Sequence, residues 1–346
     1  MAVTIKDVAA LAGVSPSTVS RVCNDNPSIS KETKERVRAA MVQLGYEPGT
    51  SAPVVATGLK QVGIILPPSP RKTYENPFYL EVIRGISQFC NHRQYASTII
   101  TGQDNEEILQ TVRMLSRSGQ MEGFILLYSK LDDAIVEFLC EEGHLYVLIG
   151  KEETLVGQTV CIDNDNLLAG REATEYLYGL GHRRIAYLGC EHTYLFSADR
   201  AAGYQLALLQ RGITPPPEYR VEVDHMDASG EEALRALFAR EDRPTAVVVS
   251  DDILAVALER VCVQMGLSIP EDVSVISFNN SLFAQLTSPQ LTSIDVNSFQ
   301  LGFEAASQII NHAENPNLMA TKIIVPHCVV ERSSCARLAE EKEELQ

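Results

Sequence analysis

The sequence predicts an α/β protein in two parts: a small three-helix head of helix-turn-helix type, and a large two-lobed core built on parallel sheets. Three observations predict this. Residues 4–24 read TIKDVAALAGVSPSTVSRVCN, two short apolar stripes at helical spacing joined across Gly13. From Gln61 onward, short and continuously apolar runs alternate with amphipathic stretches, the pattern of strands buried on both faces between helices. Those runs are too many for one sheet and break into two sets near Gly150–Asp163.

Taken in order, Ile5, Val8, Ala9 and Ala12 share one face of a first helix, which Thr4 caps with Asp7 three residues on. Gly13 supplies the positive φ of a tight turn. Ser15 caps a second helix with Pro16 at its first position, where a missing N–H costs nothing. Val19 and Val22 point inward, leaving Ser17, Thr18, Ser20 and Arg21 on the other faces. A third helix follows Ser30, with Val37, Ala40, Met41 and Leu44 as its inner stripe and Gly45 at its end. A polar, Arg-bearing second helix after a Gly turn reads as a DNA-binding helix-turn-helix rather than a plain helical hairpin. The head spans 1–48, a linker of small residues 49–60, and the core 61–346.

The chain has 346 residues and a net charge of −16, which by itself disfavours nucleic acid. The charge is uneven: residues 1–60 hold seven Lys and Arg against five Asp and Glu, so the acidity belongs to the core. A mildly basic head on an acidic body confines phosphate contact to the head, and two heads together sum those contacts, which predicts a homodimer. No leader-like start and no apolar run of membrane length occur, so a cytoplasmic protein without a membrane partner is expected. None of the eight cysteines forms CxxC, and buried free thiols are expected. No metal-ligand spacing appears, and no cofactor is expected.

In the core the strand runs are VGIILP (62–67), ASTIIT (96–101), GFILLY (123–128) and YVLIG (146–150). A second set is TVCID (159–163), RIAYLG (184–189), RVEV (220–223), AVVVS (246–250) and VSVISF (273–278), followed by LTSID (291–295) and KIIVPHCVV (322–330). Helices are expected near 77–93, 104–118, 132–142, 166–180, 200–211, 230–240, 252–265 and 298–313. Ligands of open parallel sheets sit beyond the carboxyl ends of the strands. The residues there are Phe78 and Tyr79, Tyr128, Lys151, Asp163, Arg200, His225, Asp251 and Asn279. Aromatics with carboxylates, an amide and a guanidinium suit a sugar, whose apolar faces stack on rings and whose paired hydroxyls take bidentate bonds. The competing readings are structural: core packing for Phe78 and Tyr79, helix capping for Asp163 and Asp251, and a surface ion pair for Arg200.

The words TIKDVAALAGVS, TVSRV and ISKETKERVRAAMVQLGYEP closely resemble the headpiece of LacI-type bacterial repressors, over residues 4–48 almost without a gap. The resemblance implies a headpiece on a two-lobed, periplasmic-binding-protein-like, sugar-sensing core, and a transcriptional repressor whose operator affinity a sugar controls. It implies that Pro16, Ser17 and Arg21 reach base edges, while Thr4, Ser15, Thr18, Asn24 and Ser30 make phosphate or positioning contacts. In the family the linker forms a hinge helix with a minor-groove Leu. Here Gly49, Pro53 and Val55 stand at the motif positions, and Gly and Pro both weaken a helix. The family's chain path, with three crossovers, places 61–161 and 294–321 in the first lobe and 162–293 and 322–335 in the second. The Arg before Ala-Gly-Tyr, here Arg200, would hold the effector. Asn279-Asn280 stand where the family often has Asp-Asp, and His225 where it often has a stacking aromatic. YENPFYLEVIRGISQ, ITGQD, GFILLYS, LIGK and CIDNDN are similar to the maltose-responsive repressors of Gram-positive bacteria within that family, which implies maltose or a maltooligosaccharide.

Other classes fare worse. No dinucleotide fingerprint follows a strand, no phosphate-binding loop motif and no nucleophile elbow occur, and His182 in GLGHRRIAYLG reads as structural. A carboxylate pair such as Asp163 and Asp251 facing a sugar is the one enzyme-like feature. A solute-binding protein would share the core but not the head. An activator or a corepressor-dependent repressor would share both.

Overall fold

Two units divide the chain, residues 1–59 and residues 60–346. The computed structural model describes residues 5–15, 18–19, 22, 29–44, 60–68, 76–154, 157, 159–190, 193–223 and 228–338. The expectations placed on Thr4, Pro16, Ser17, Ser20, Arg21, Asn24, Val55 and His225 fall outside those residues.

In the first unit, helix Ile5–Ala12 is followed by Gly13 at φ 64°. Thr18 and Val19 are helical again, and Ser15 is the cap: its Oγ accepts from Thr18 N at 3.2 Å. Ser30 repeats the device for helix Lys31–Leu44, accepting from Thr33 N at 3.3 Å. Val8, Ala9, Ala12, Val19, Val22, Val37, Ala40 and Met41 form one buried cluster, the inner stripes expected from the spacing.

The second unit holds two six-stranded sheets. The first orders its strands β11-β5-β4-β3-β1-β2 and the second β12-β10-β9-β8-β6-β7. The strands are β1 (Gln61–Ile65), β2 (Ala96–Ile100), β3 (Met121–Leu126), β4 (Tyr146–Ile149), β5 (Val160–Asp163), β6 (Ile185–Gly189), β7 (Arg220–Glu222), β8 (Ala246–Val249), β9 (Ser274–Phe278), β10 (Thr292–Asp295), β11 (Lys322–Ile324) and β12 (Cys328–Val330). All pairings are parallel except β12 on β10. The two sheets share one order, so each has a switch point where the chain reverses direction, between β1 and β3 and between β6 and β8.

Four details depart from the sequence reading. The run TVCID does not open the second sheet: β5 pairs parallel with β4 and belongs to the first. Both runs are buried along their whole length, so their composition carries no mark of which sheet they join. KIIVPHCVV is not one strand of the second lobe. Pro326, which lacks an N–H, separates β11, parallel to β5 in the first sheet, from β12 in the second. The helix expected near 200 starts at Leu195, and a short helix Leu282–Leu286 was not foreseen.

Each sheet is covered by a pair of helices that cross at glycines. Pro77–His92 meets Ser298–Glu314 where a Cβ on Gly85 would overlap the carbonyl of Phe299. Asn166–Gly179 meets Leu195–Gln210 where a Cβ on Gly170 would overlap the carbonyl of Arg200. That second contact sets two site residues, Asn166 and Arg200, side by side.

Candidate functional site: a polar cleft at two switch points

Both switch points open into one cavity with about 560 Å³ of unfilled space, part of it open solvent. From the first sheet come Asn76, Phe78 and Tyr79 after β1, Tyr128 and Ser129 after β3, Gly150 after β4, and Asp163 and Asn164 at the end of β5. From the second come Phe196 and Arg200 after β6, Asp251 after β8 and Asn279 after β9. Asn166 and Leu301 complete the polar and apolar sides.

Arg200 is the centre of the polar wall. It is 4 % exposed and makes no ion pair among the described residues, so the surface reading of this residue does not hold. Its Nε donates to Asn166 Oδ1 at 2.9 Å and its Nη1 to the carbonyl of Ser250 at 2.6 Å. The guanidinium carbon lies 5.0 Å from the ring centre of Phe196 and 4.2 Å from that of Phe278. Asn166 in turn donates from Nδ2 to Asp163 Oδ1 at 2.9 Å. A chain of hydrogen bonds thus runs from Asp163 through one amide to Arg200, holding both charged groups at the cavity wall.

Two carboxylates line the space. Asp163 is 6 % exposed, and burial raises its pKa to about 6, against the opposing donation from Asn164 N. Burial also raises the pKa of Asp251, opposed by the Leu254 N–H and the Arg200 charge. Asp251 is the N-cap of helix Asp252–Gln264, its Oδ1 accepting from Leu254 N at 2.9 Å, and it lines the cavity as well. The structural and the functional readings of this residue therefore hold together. Burial raises the Tyr79 and Tyr128 hydroxyls above the usual phenol range and lowers the Arg200 pKa.

Of the sequence candidates within the described residues, Phe78, Tyr79, Tyr128, Asp163, Arg200, Asp251 and Asn279 meet around this cavity. Lys151 does not line it. Its Nζ lies 2.7 Å from Asp199 Oδ1 and 2.9 Å from Glu153 Oε1. Asn279 sits at φ 94°, a backbone state that Asn tolerates better than other side chains, while its neighbour Asn280 bonds Asp295 and Arg332. Sequence reading missed Asn164, Asn166 and Phe196. Phe196 and Arg200 are four apart on one helix face, a relation visible once the helix starts at Leu195. Tyr194 at its N-cap makes no side-chain cap bond, so the start carries no capping signal. His182 is buried on Thr245, Ser274 and the Ala336 carbonyl, a structural residue as expected.

Comparison with known proteins follows the same division. Residues 4–49 match the model for bacterial regulatory proteins of the lacI family, and residues 174–335 the periplasmic binding protein-like domain. The chain is 35 % identical to the HTH-type transcriptional regulator MalR of Streptococcus pneumoniae over 96 % of this chain and 100 % of that one. It is 34 % identical to MalR of Staphylococcus xylosus over 98 % and 99 %. Among solved structures, the complex of the transcriptional regulator CelR with cellobiose superposes with TM-score 0.74 at 28 % identity, covering 96 % of this chain and 100 % of that one. A Staphylococcus malR, described as a probable maltose operon transcriptional repressor, gives TM-score 0.72 at 27 % identity over 79 % and 97 %.

Proposed function

Because this chain belongs to the lacI family of bacterial regulatory proteins, we propose that it is a repressor whose operator affinity falls when maltose or a maltooligosaccharide enters the cleft. The observation that carries the reading is Arg200, buried against two aromatic rings and linked through Asn166 to Asp163. A guanidinium has five N–H donors, and Asn166 and Ser250 use two. The others suit vicinal hydroxyls of a pyranose. Asp163, Asp251 and Asn279 accept from further hydroxyls, and Phe78, Tyr79, Tyr128 and Phe196 offer rings to the apolar faces.

Maltose is favoured among sugars by the MalR relatives and by a disaccharide-bound CelR of the same architecture. On the DNA side, Pro16, Ser17 and Arg21 of each head in a homodimer read one half-site, with Ser15, Thr18 and Ser30 among the positioning contacts. Sugar shifts the balance of lobe arrangements, the dimer loses simultaneous engagement of both half-sites, and release follows without any change in base contacts. Calorimetry of the full chain against maltose, maltotriose, cellobiose and ribose tests the effector. Maltose or maltotriose should bind most tightly and remain intact after incubation. A hydrolysed product would make the carboxylate pair catalytic, and absence of binding to all four would remove the sugar reading.

A further inference from the structure

The second unit's chain passes between its sheets three times. The first passage leaves β5 at Asp163, the second leaves β10 and runs through Val296, and the third leaves β11 and runs through Val325. Asn164 lies on the first, 5 % exposed. Its Nδ2 donates to the Val296 carbonyl at 3.0 Å and to the Val325 carbonyl at 2.8 Å. A side-chain amide carries two N–H donors, so both are committed, one to each of the other passages. One backbone bond joins the same place, from Val325 N to the Asp163 carbonyl at 2.8 Å.

Asn164 is also part of the cavity wall, and its own N–H donates to Asp163 Oδ1 at 2.8 Å. A buried amide serving only to satisfy carbonyls has no need to touch the ligand side. Here a single residue connects the carboxylate that faces the cavity with all three segments about which the lobes can turn. We propose that Asn164 is the positioning residue of the hinge: it fixes the three passages in one register, so that a ligand engaging Asp163 sets the angle between the lobes. The link to operator release rests on the function proposed above, while the hinge role does not.

The experiment uses the full chain with spin labels on unnatural residues at Met114 and Leu209, both exposed, on helices Asn105–Ser116 and Leu195–Gln210 of the two lobes. Wild type should give one narrow distance distribution without ligand. Asn164→Asp removes both donors and sets a carboxylate against two carbonyl oxygens, so its distribution should broaden or shift. Asn164→Ser keeps a single donor and should fall between, and it decides the matter if the Asp variant does not fold. Wild-type distributions in the folded variants would overturn the proposal, whereas a lowered melting temperature alone counts as a structural role and overturns it too. In a second arm, the ratio of operator affinities without and with maltose should drop about five-fold or more in Asn164→Ser. A wild-type ratio in that variant contradicts the proposal. If wild-type protein itself shows no maltose effect, the function proposed above fails and the distance measurement still decides the hinge.

Discussion

Asn76 and Asp251, N-caps of helices that belong to opposite lobes, hydrogen-bond to each other across the cavity. Asn76 accepts from Phe78 N through Oδ1 at 3.0 Å and donates from Nδ2 to Asp251 Oδ2 at 3.1 Å. Asp251 accepts from Leu254 N through its other oxygen. Each side chain thus starts its own helix and completes the other's hydrogen bonding, so the mouth of the cleft is held by groups the fold already requires.

Asn76→Asp separates the two duties. It keeps an acceptor for Phe78 N, so helix Pro77–His92 keeps its cap, but it sets two carboxylates against each other. Unfolding by urea should show only the cost of the lost Asp251 bond and the like-charge repulsion, with the helix cap intact, while sugar affinity should fall about tenfold, equivalent to about 1.4 kcal/mol. Asn76→Ala should instead lower stability by about 1 kcal/mol. Calorimetry and urea titration on both variants distinguish the two effects.

Gly170→Ala places a methyl group against the Arg200 carbonyl. The helices must part or slide, at a cost of about 1–3 kcal/mol. Because Asn166 and Arg200 ride on those helices, sugar affinity should fall with stability. A variant as stable as wild type would show that the helix crossing has slack.

Asp163 should make sugar binding pH-dependent. Burial lifts its pKa from the usual carboxylate range to about 6. Protonation on acidification removes acceptor capacity from the cavity, so affinity should weaken as pH falls from 7.5 to 5, with a midpoint near the raised value. For folding the sign is opposite: a raised carboxylate pKa penalises the folded state above it, and the penalty is relieved as pH falls from about 6 toward 4. Asp163→Asn should flatten the binding profile across this window.

In the headpiece, Arg21→Ala should cost about 1–3 kcal/mol per half-site and relax the preference at one base pair. Ser15→Ala removes the acceptor for Thr18 N and should cost about 1 kcal/mol of head stability with less effect on sequence preference. Competition binding on an operator and its single-base variants separates reading from support.

Much of this was legible in the sequence. The head's inner stripe follows from spacing alone, because three short helices have only one way to bury Val8, Val19 and Val37 together. The strand ends named the cavity, since a parallel sheet exposes its site at its carboxyl edge, and Asp163, Arg200 and Asp251 stand there. What stayed hidden depends on long-range pairing. Nothing local in VCID tells that it pairs with β4 and not with the following set. Nothing around Lys151 announces that its partner is Asp199, 48 positions away. Asn164 and Asn166, both inside CIDNDN, look like turn residues until the passages they touch are known.

The central claim is that a sugar held at Arg200 governs operator affinity. The measurement that tests it most directly is fluorescence anisotropy of labelled operator titrated with wild-type protein and with Arg200→Ala, each with and without saturating maltose. The expected result is equal operator affinity for both proteins without sugar, a loss of about 5–150-fold for wild type with sugar, and no loss for the variant. A variant that responds to maltose as wild type does, or a wild-type protein that binds maltose while its operator affinity stays fixed, would contradict it.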